Sequence, residues 1–205
     1  RGNTVYVDPP PKSAIGAGQS VNIIGDNLRI DGYLTDQDKA YIKAACEQGV
    51  NRFMLSFVEG PEDAQELLDT IESLGFGHLT SETKIVLKIE SRKGVKYVES
   101  LTKTGMPKNQ RLMAARNDLM MQIGHNKAQV LPTIKKLVEV DPNAICASRI
   151  LTSIERGGTL ALGDIADLAL MRYFGYKHFM LCDDICRRHF NDVMRLWQEC
   201  RHVKV

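Results

Sequence analysis

From Leu34 to Cys200 the chain alternates between two apolar patterns. Short, nearly continuous apolar runs occupy 53–58, 84–89, 111–115, 144–148 and 178–182. Runs of that length without clean alternation read as strands covered on both faces, as in a parallel sheet. Between them apolar residues recur at helical spacing. Thr35 is placed to cap a helix opening Asp36-Gln37-Asp38 and ending between Cys46 and Gly49. Pro61-Glu62-Asp63 opens a second, carrying Leu67, Leu68, Ile71 and Leu74 and stopping at Gly75. Further helices are expected over 94–101, 126–140 (ended by Asp141-Pro142), 163–174 (ended by Gly175) and 189–200. In the last, Met194, Leu196 and Trp197 form the core-facing stripe, and Asp183 and Asp184 just before it read as capping residues.

The result is five β→α units repeating at roughly the 30-residue length of a βαβ crossover. Parallel strands with helices outside define an α/β fold. Five units fit an open sheet or part of an eight-unit barrel, which as a whole needs about 250 residues. No GxGxxG or GxxxxGK[ST] follows a strand, which argues against the nucleotide-binding open sheets. Ahead of this repeat, residues 4–7 read as a short strand entering the turn Asp8-Pro9-Pro10-Pro11 and a loop with Gly16, Ala17 and Gly18. That segment is too short for a domain.

The strand ends carry the chemistry. Ile85-Val86-Leu87 runs into Lys88-Ile89-Glu90-Ser91, and Leu112-Met113-Ala114 into Ala115-Arg116-Asn117-Asp118. A lysine and two carboxylates therefore sit at the C-terminal tips of neighbouring strands, the side where α/β sheets and barrels bind ligands. Such a set can hold a divalent metal and neutralise an oxyanion. The bland alternative for Lys88 and Glu90 is a surface ion pair along a strand.

Composition narrows the partners. With 205 residues, 43% of them hydrophobic, the chain can bury one substantial core. A net charge of +2 without long Lys/Arg runs gives no nucleic-acid footprint, and no apolar stretch approaches a membrane span or signal peptide. Five scattered cysteines without a CxxC read as reduced, mostly buried thiols of a cytoplasmic protein. Cys182, Cys186 and His189 fit no common zinc spacing, so packing is the preferred reading for them.

Taken together these segments resemble the pyruvate kinase family, collinearly over most of the chain. Val21-Asn22-Ile23-Ile24-Gly25 with Leu34-Thr35-Asp36-Gln37-Asp38 is similar to the segment that leaves the lid domain and re-enters the barrel. Leu55-Ser56-Phe57-Val58 resembles the fourth barrel strand, and Lys88-Ile89-Glu90 with Gly94-Val95 the fifth. Ala115-Arg116-Asn117-Asp118-Leu119 resembles the sixth, and Ile145-Cys146-Ala147-Ser148 the seventh. Asp164-Ile165-Ala166-Asp167 with Phe179-Met180-Leu181 resembles the eighth unit.

The resemblance implies a TIM (β/α)8 barrel of the pyruvate kinase type, with about five βα units in this chain. Residues 1–20 would be the tail of the lid domain and 21–205 the partial barrel. Its exposed edges would be completed by a preceding segment or another chain, or covered in a homo-oligomer. It implies phosphoryl transfer between phosphoenolpyruvate and ADP in glycolysis, with Mg²⁺ and a monovalent cation such as K⁺. Lys88 and Ser148 would be catalytic, Glu90 and Asp118 metal ligands, and Arg116, Asn117 and Ser148 substrate-binding.

Departures from the family pattern fall on the substrate rim. Asn117 and Met120 stand where the family has glycines, Glu59 where it has arginine, and Arg149 where it has glutamine. The loop at Gly158-Thr159-Leu160-Ala161-Leu162 is one residue shorter, and Cys182-Asp183-Asp184-Ile185 replaces Ser-Gly-Glu-Thr. Two alternatives therefore stand beside phosphoryl transfer. One is a Mg²⁺-dependent enolate lyase or aldolase acting on pyruvate or another 2-oxo acid. The other is a non-catalytic scaffold or regulatory barrel.

Overall fold

The computed structural model describes Gly16 and residues 32–123, 126–157 and 159–200. The expected strand at 4–7, the lid-domain tail, the 21–25 segment, His125 and Gly158 lie outside these residues, apart from Gly16 itself. The described elements run α1 (Asp36–Glu47), β1 (Arg52–Leu55), α2 (Pro61–Ile71), β2 (Lys84–Ile89), α3 (Arg92–Thr104), β3 (Gln110–Ala115) and α4 (Arg116–Gln122). They continue α5 (Val130–Val140), β4 (Ile145–Ala147), α6 (Thr152–Gly157), α7 (Leu162–Phe174), β5 (His178–Met180), α8 (Asp183–Arg188) and α9 (Phe190–Cys200).

The five strands form one sheet in sequential order, β1-β2-β3-β4-β5, and every pairing is parallel. Doubly wound sheets reverse direction at a switch point, whereas a barrel adds each strand beside the last. The fold is α/β, with five successive units of a barrel-type sheet. The register sets the tips side by side: Ile89 pairs with Ala114, Ala115 with Ala147, and Ala147 with Met180. Residues just beyond β2, β3 and β4 thus share one edge of the sheet.

Sequence periodicity matches the core. Leu87, Ile89, Leu112 and Ala114 are fully buried, as are Leu67, Ile71, Ile134, Leu137 and Met171 from the helices. Burying each large apolar side chain contributes about 1.5–3 kcal/mol. Thr35 caps α1, its hydroxyl accepting from Asp38 N–H while Asp38 Oδ2 accepts from Thr35 N–H. The helix expected over 94–101 is longer, because Ser91 caps it through Gly94 N–H and starts it at Arg92.

Three short helices escaped the sequence pattern: α4, α6 and α8. They follow β3, β4 and β5 before the main crossover helix of each unit, and at six or seven residues none completes two helical turns. Asp183 and Asp184 lie in the first turn of α8, whose cap is Cys182, and not at the start of the last helix. Among the described residues no helix is long and apolar enough to cross a membrane.

Candidate active site

The strands end in strained backbone on the ligand side. Phe57, just past β1, has φ 53°, and Ser148, Arg149 and Leu151, just past β4, have φ 70°, 57° and 58°. Each left-handed non-glycine residue costs about 1–2 kcal/mol, and such strain tends to collect at functional sites. Contacts between neighbouring strand tips hold it in place.

The central contact is an ion pair at the tip of β2. Lys88 Nζ lies 3.0 Å from Glu90 Oε1, with the carboxylate side chain 2% exposed and the lysine 23%. Glu90 Oε2 accepts from Phe57 N–H at 2.6 Å, which pins the strained turn after β1. Lys88 also donates to Ser56 Oγ at 2.9 Å, and its backbone carbonyl accepts from Val58 N–H at 3.2 Å. The Ser56 carbonyl in turn accepts from Tyr33 Oη at 2.6 Å. Burial, then the nearby Asp63, Glu90, Asp38 and Glu66 carboxylates, raise the Tyr33 pKa well above its usual value, so the phenol is a neutral donor.

Arg116, at the start of α4, turns back toward β4. Its guanidinium makes a two-pronged pair with Asp167 on α7, at 2.6 and 2.9 Å, and donates to the carbonyl oxygens of Ala147 and Ser148. Burial, the largest single effect, lowers its pKa, but the Asp167 hydrogen bonds together with the charges of Cys146, Asp167 and Tyr176 hold the value above the usual one. Asn117 Oδ1 accepts from Arg149 Nε at 3.1 Å. Asp118 is half-buried in the first turn of α4. Arg116, Asn117, Met120, Leu131, Arg149 and Ser153 are among the residues lining an open cleft of about 760 Å³. Asp164, which also lines the cleft, accepts from the Ser153 hydroxyl.

The "Pyruvate kinase, barrel domain" family profile matches residues 2–185. The chain belongs to the pyruvate kinase family. It is 27% identical to a pyruvate kinase of Bacillus licheniformis over 80% of this chain and 27% of that protein. Identity is 28% to one of Thermoplasma acidophilum, over 72% of this chain and 26% of the relative. It is 29% to pyruvate kinase 1 of Candida glabrata, over 84% and 33%. The chain thus spans about a quarter to a third of the length of these relatives.

For this pyruvate kinase family member the residues expected from sequence divide into two groups. Lys88 and Glu90 touch each other, and Asp118 and Ser148 follow the next two strands on the same edge. Arg116 and Asn117 face protein partners, Asp167 and Arg149 respectively. Glu59 accepts from the Ser91 hydroxyl at 2.7 Å and pairs with Lys93 at 3.2 Å.

Among the described residues no group of three or more His, Cys, Asp or Glu side chains is gathered to hold a metal ion. The donor chemistry nevertheless fits Mg²⁺, which is commonly held by one or two carboxylates, with substrate oxygens and water completing six positions. Glu90 and Asp118 are the carboxylates that could supply such a pair, and Glu90 has lone pairs beyond those facing Lys88 and Phe57. Cys182, at the head of α8, and Cys186 are both exposed free thiols.

Sequence reasoning did not single out Tyr33, Ser56 or Asp167. Ser56 carried one signal, a hydroxyl directly after an apolar strand run. Tyr33 and Asp167 lie 23 and 51 positions from their partners, beyond the reach of any local pattern.

Proposed function

We propose that the protein takes part in pyruvate kinase-type phosphoryl transfer between phosphoenolpyruvate and ADP, working at the C-terminal edge of a barrel. Residues 21–205 supply barrel units four to eight and residues 1–20 the tail of the lid domain. The remaining strands come from a preceding segment or another chain, or the edges are covered in a homo-oligomer. The setting is cytoplasmic, in glycolysis. The observation carrying this reading is the Lys88–Glu90 pair at 3.0 Å on the β2 tip, followed along the same sheet edge by the tips bearing Asp118 and Ser148.

Lys88 neutralises charge on the transferred phosphoryl group and on the enolate oxygen left behind. Its ammonium has three donors; Glu90 and Ser56 take two, leaving one for a substrate oxygen. Ser148 presents a hydroxyl on the next tip but one, set by its left-handed backbone. Glu90 and Asp118 hold Mg²⁺, with a monovalent cation such as K⁺ nearby. When bound, Mg²⁺ supplies Lewis-acid neutralisation of substrate oxygens. Arg116 works through Asp167 and the Ser148 carbonyl, holding the β4 tip in place, while Asn117 orients Arg149 at the substrate rim.

The experiment is pyruvate formation with Mg²⁺ and ADP in the native assembly. Loss of a preorganised charge contact of this kind typically costs about 10²–10³ in kcat, and Lys88→Met is expected to lose at least that. Absence of turnover in metal-loaded protein removes the reading.

A second reading is favoured by the Arg149 guanidinium held by Asn117 Oδ1: a Mg²⁺-dependent enolate reaction on pyruvate or another 2-oxo acid without nucleotide. Exchange of pyruvate C3 protons with solvent in the absence of ADP supports it. Absence of both activities leaves the non-catalytic scaffold.

A further inference from the structure

One contact to the Lys88 centre comes from outside the sheet. Tyr33 precedes α1 and is anchored at its backbone: Tyr33 N–H and Leu34 N–H donate to the two oxygens of Glu66 on α2, at 3.2 and 3.1 Å. The ring packs half-buried against the core, and its hydroxyl reaches the Ser56 carbonyl at 2.6 Å. Ser56 is the residue whose Oγ accepts from Lys88 Nζ. The next residue, Phe57, is in left-handed strain and donates to Glu90. The turn that orients the lysine is therefore held from both sides, by Glu90 from within the sheet and by Tyr33 from the incoming chain.

We propose that Tyr33 is a positioning residue of the Lys88 centre, donating its hydroxyl hydrogen to the Ser56 carbonyl and thereby fixing the serine that aims the ammonium. Ser56 needs this hold because it is exposed and follows the last residue of β1, so the sheet ladder ends before it. Without the phenol the turn keeps Glu90, Val58 N–H and the Lys88 contact to Ser56 Oγ. Tyr33 also ties the approach of the chain at α1 to the aim of the lysine, because Glu66 and Ser56 fix its two ends separately. The part played in turnover rests on the reading of Lys88 given above; the placement of the ammonium does not.

The test uses Tyr33→Phe, Ser56→Ala and the double variant in the native assembly, with two readouts. The first is labelling of Lys88 by trinitrobenzenesulfonate, quantified by peptide mapping against exposed Lys84 on the same strand. Loss of one hydrogen bond is worth about three- to tenfold in the freedom of the held group. Tyr33→Phe should raise the Lys88:Lys84 labelling ratio by that order, and the double variant no further than Ser56→Ala. The second is a kcat fall of the same size with KM for phosphoenolpyruvate nearly constant and an unchanged melting temperature. A labelling ratio in Tyr33→Phe equal to that of the unsubstituted protein overturns the proposal, as does a multiplicative effect in the double variant. If the ratio responds but no variant or parent turns over, the phosphoryl-transfer reading fails and the positioning stands. If turnover is present and the ratio is unmoved, the positioning fails alone.

Discussion

Arg149 Nε donates to Asn117 Oδ1 at 3.1 Å, joining the first turn of α4 to the turn after β4. Asn117 is the second residue of α4 and Arg149 sits in the turn after β4, 32 residues later. The family resemblance leads one to expect glycine at position 117, where a side chain would ordinarily crowd the rim. Here the amide is used, orienting a guanidinium whose backbone already stands at φ 57°.

That coupling predicts non-additive variants. Arg149→Ala and Asn117→Ala should each raise KM for the anionic substrate, and the double variant should be little worse than Arg149→Ala alone. Because Arg149 is exposed, stability should change by under about 0.5 kcal/mol in its variant. Steady-state kinetics beside urea melts separate the two effects; equal and additive KM changes would show that the pair does not act as a unit.

The Arg116–Asp167 pair should behave in the opposite way. The arginine side chain is 11% exposed and the aspartate 34%, so the pair lies between surface and interior. Surface pairs contribute about 0–1 kcal/mol, and breaking a buried one costs about 3–5. Asp167→Ala should therefore destabilise by about 2–3 kcal/mol and loosen the β4 tip, since the freed guanidinium keeps only carbonyl partners. A denaturant midpoint equal to that of the parent would refute this assignment.

Gly94 gives a prediction of unusual sign. Alanine for glycine in a helix interior normally stabilises by about 1 kcal/mol. A Cβ at Gly94 would lie 2.5 Å from the Val58 carbonyl oxygen, a backbone atom with little room to yield. Gly94→Ala should instead destabilise by about 1–3 kcal/mol. Displacing Val58 also weakens its hydrogen bond to the Lys88 carbonyl, so activity should fall with stability. Thermal melts and turnover of this one variant check both.

Alkaline pH should expose the buried thiol of β4. Burial pushes Cys146 up to about 12, against an ordinary value of 9.0, with Arg116 only partly offsetting it. The folded pKa is raised, so its contribution is complete below about pH 9 and is lost as pH climbs toward 12, at up to about 1.4 kcal/mol per unit. Burial of Cys46 acts in the same direction, and Tyr97 and Tyr176 join at higher pH. Urea midpoints of Cys146→Ala should fall less steeply than those of the parent between about pH 9 and 10; parallel slopes would show that this thiol does not drive the loss.

The repeating apolar runs and helix caps of the sequence determined five βα units, a parallel sheet and Lys88, Glu90, Asp118 and Ser148 at strand tips. These are local signals: Thr35 finds Asp38 three residues away, and burial on both faces removes alternation from the strands. Strand order, a barrel-like progression without a switch point, was decided only in three dimensions, because five βα units of equal length suit either sheet. So were the partners of the site. Tyr33 to Ser56, Arg116 to Asp167 and Arg149 to Asn117 each cross 23 to 51 residues. A guanidinium or phenol in a sequence offers donors without naming an acceptor. Parallel register supplies the acceptors by bringing the ends of separate strands onto one edge.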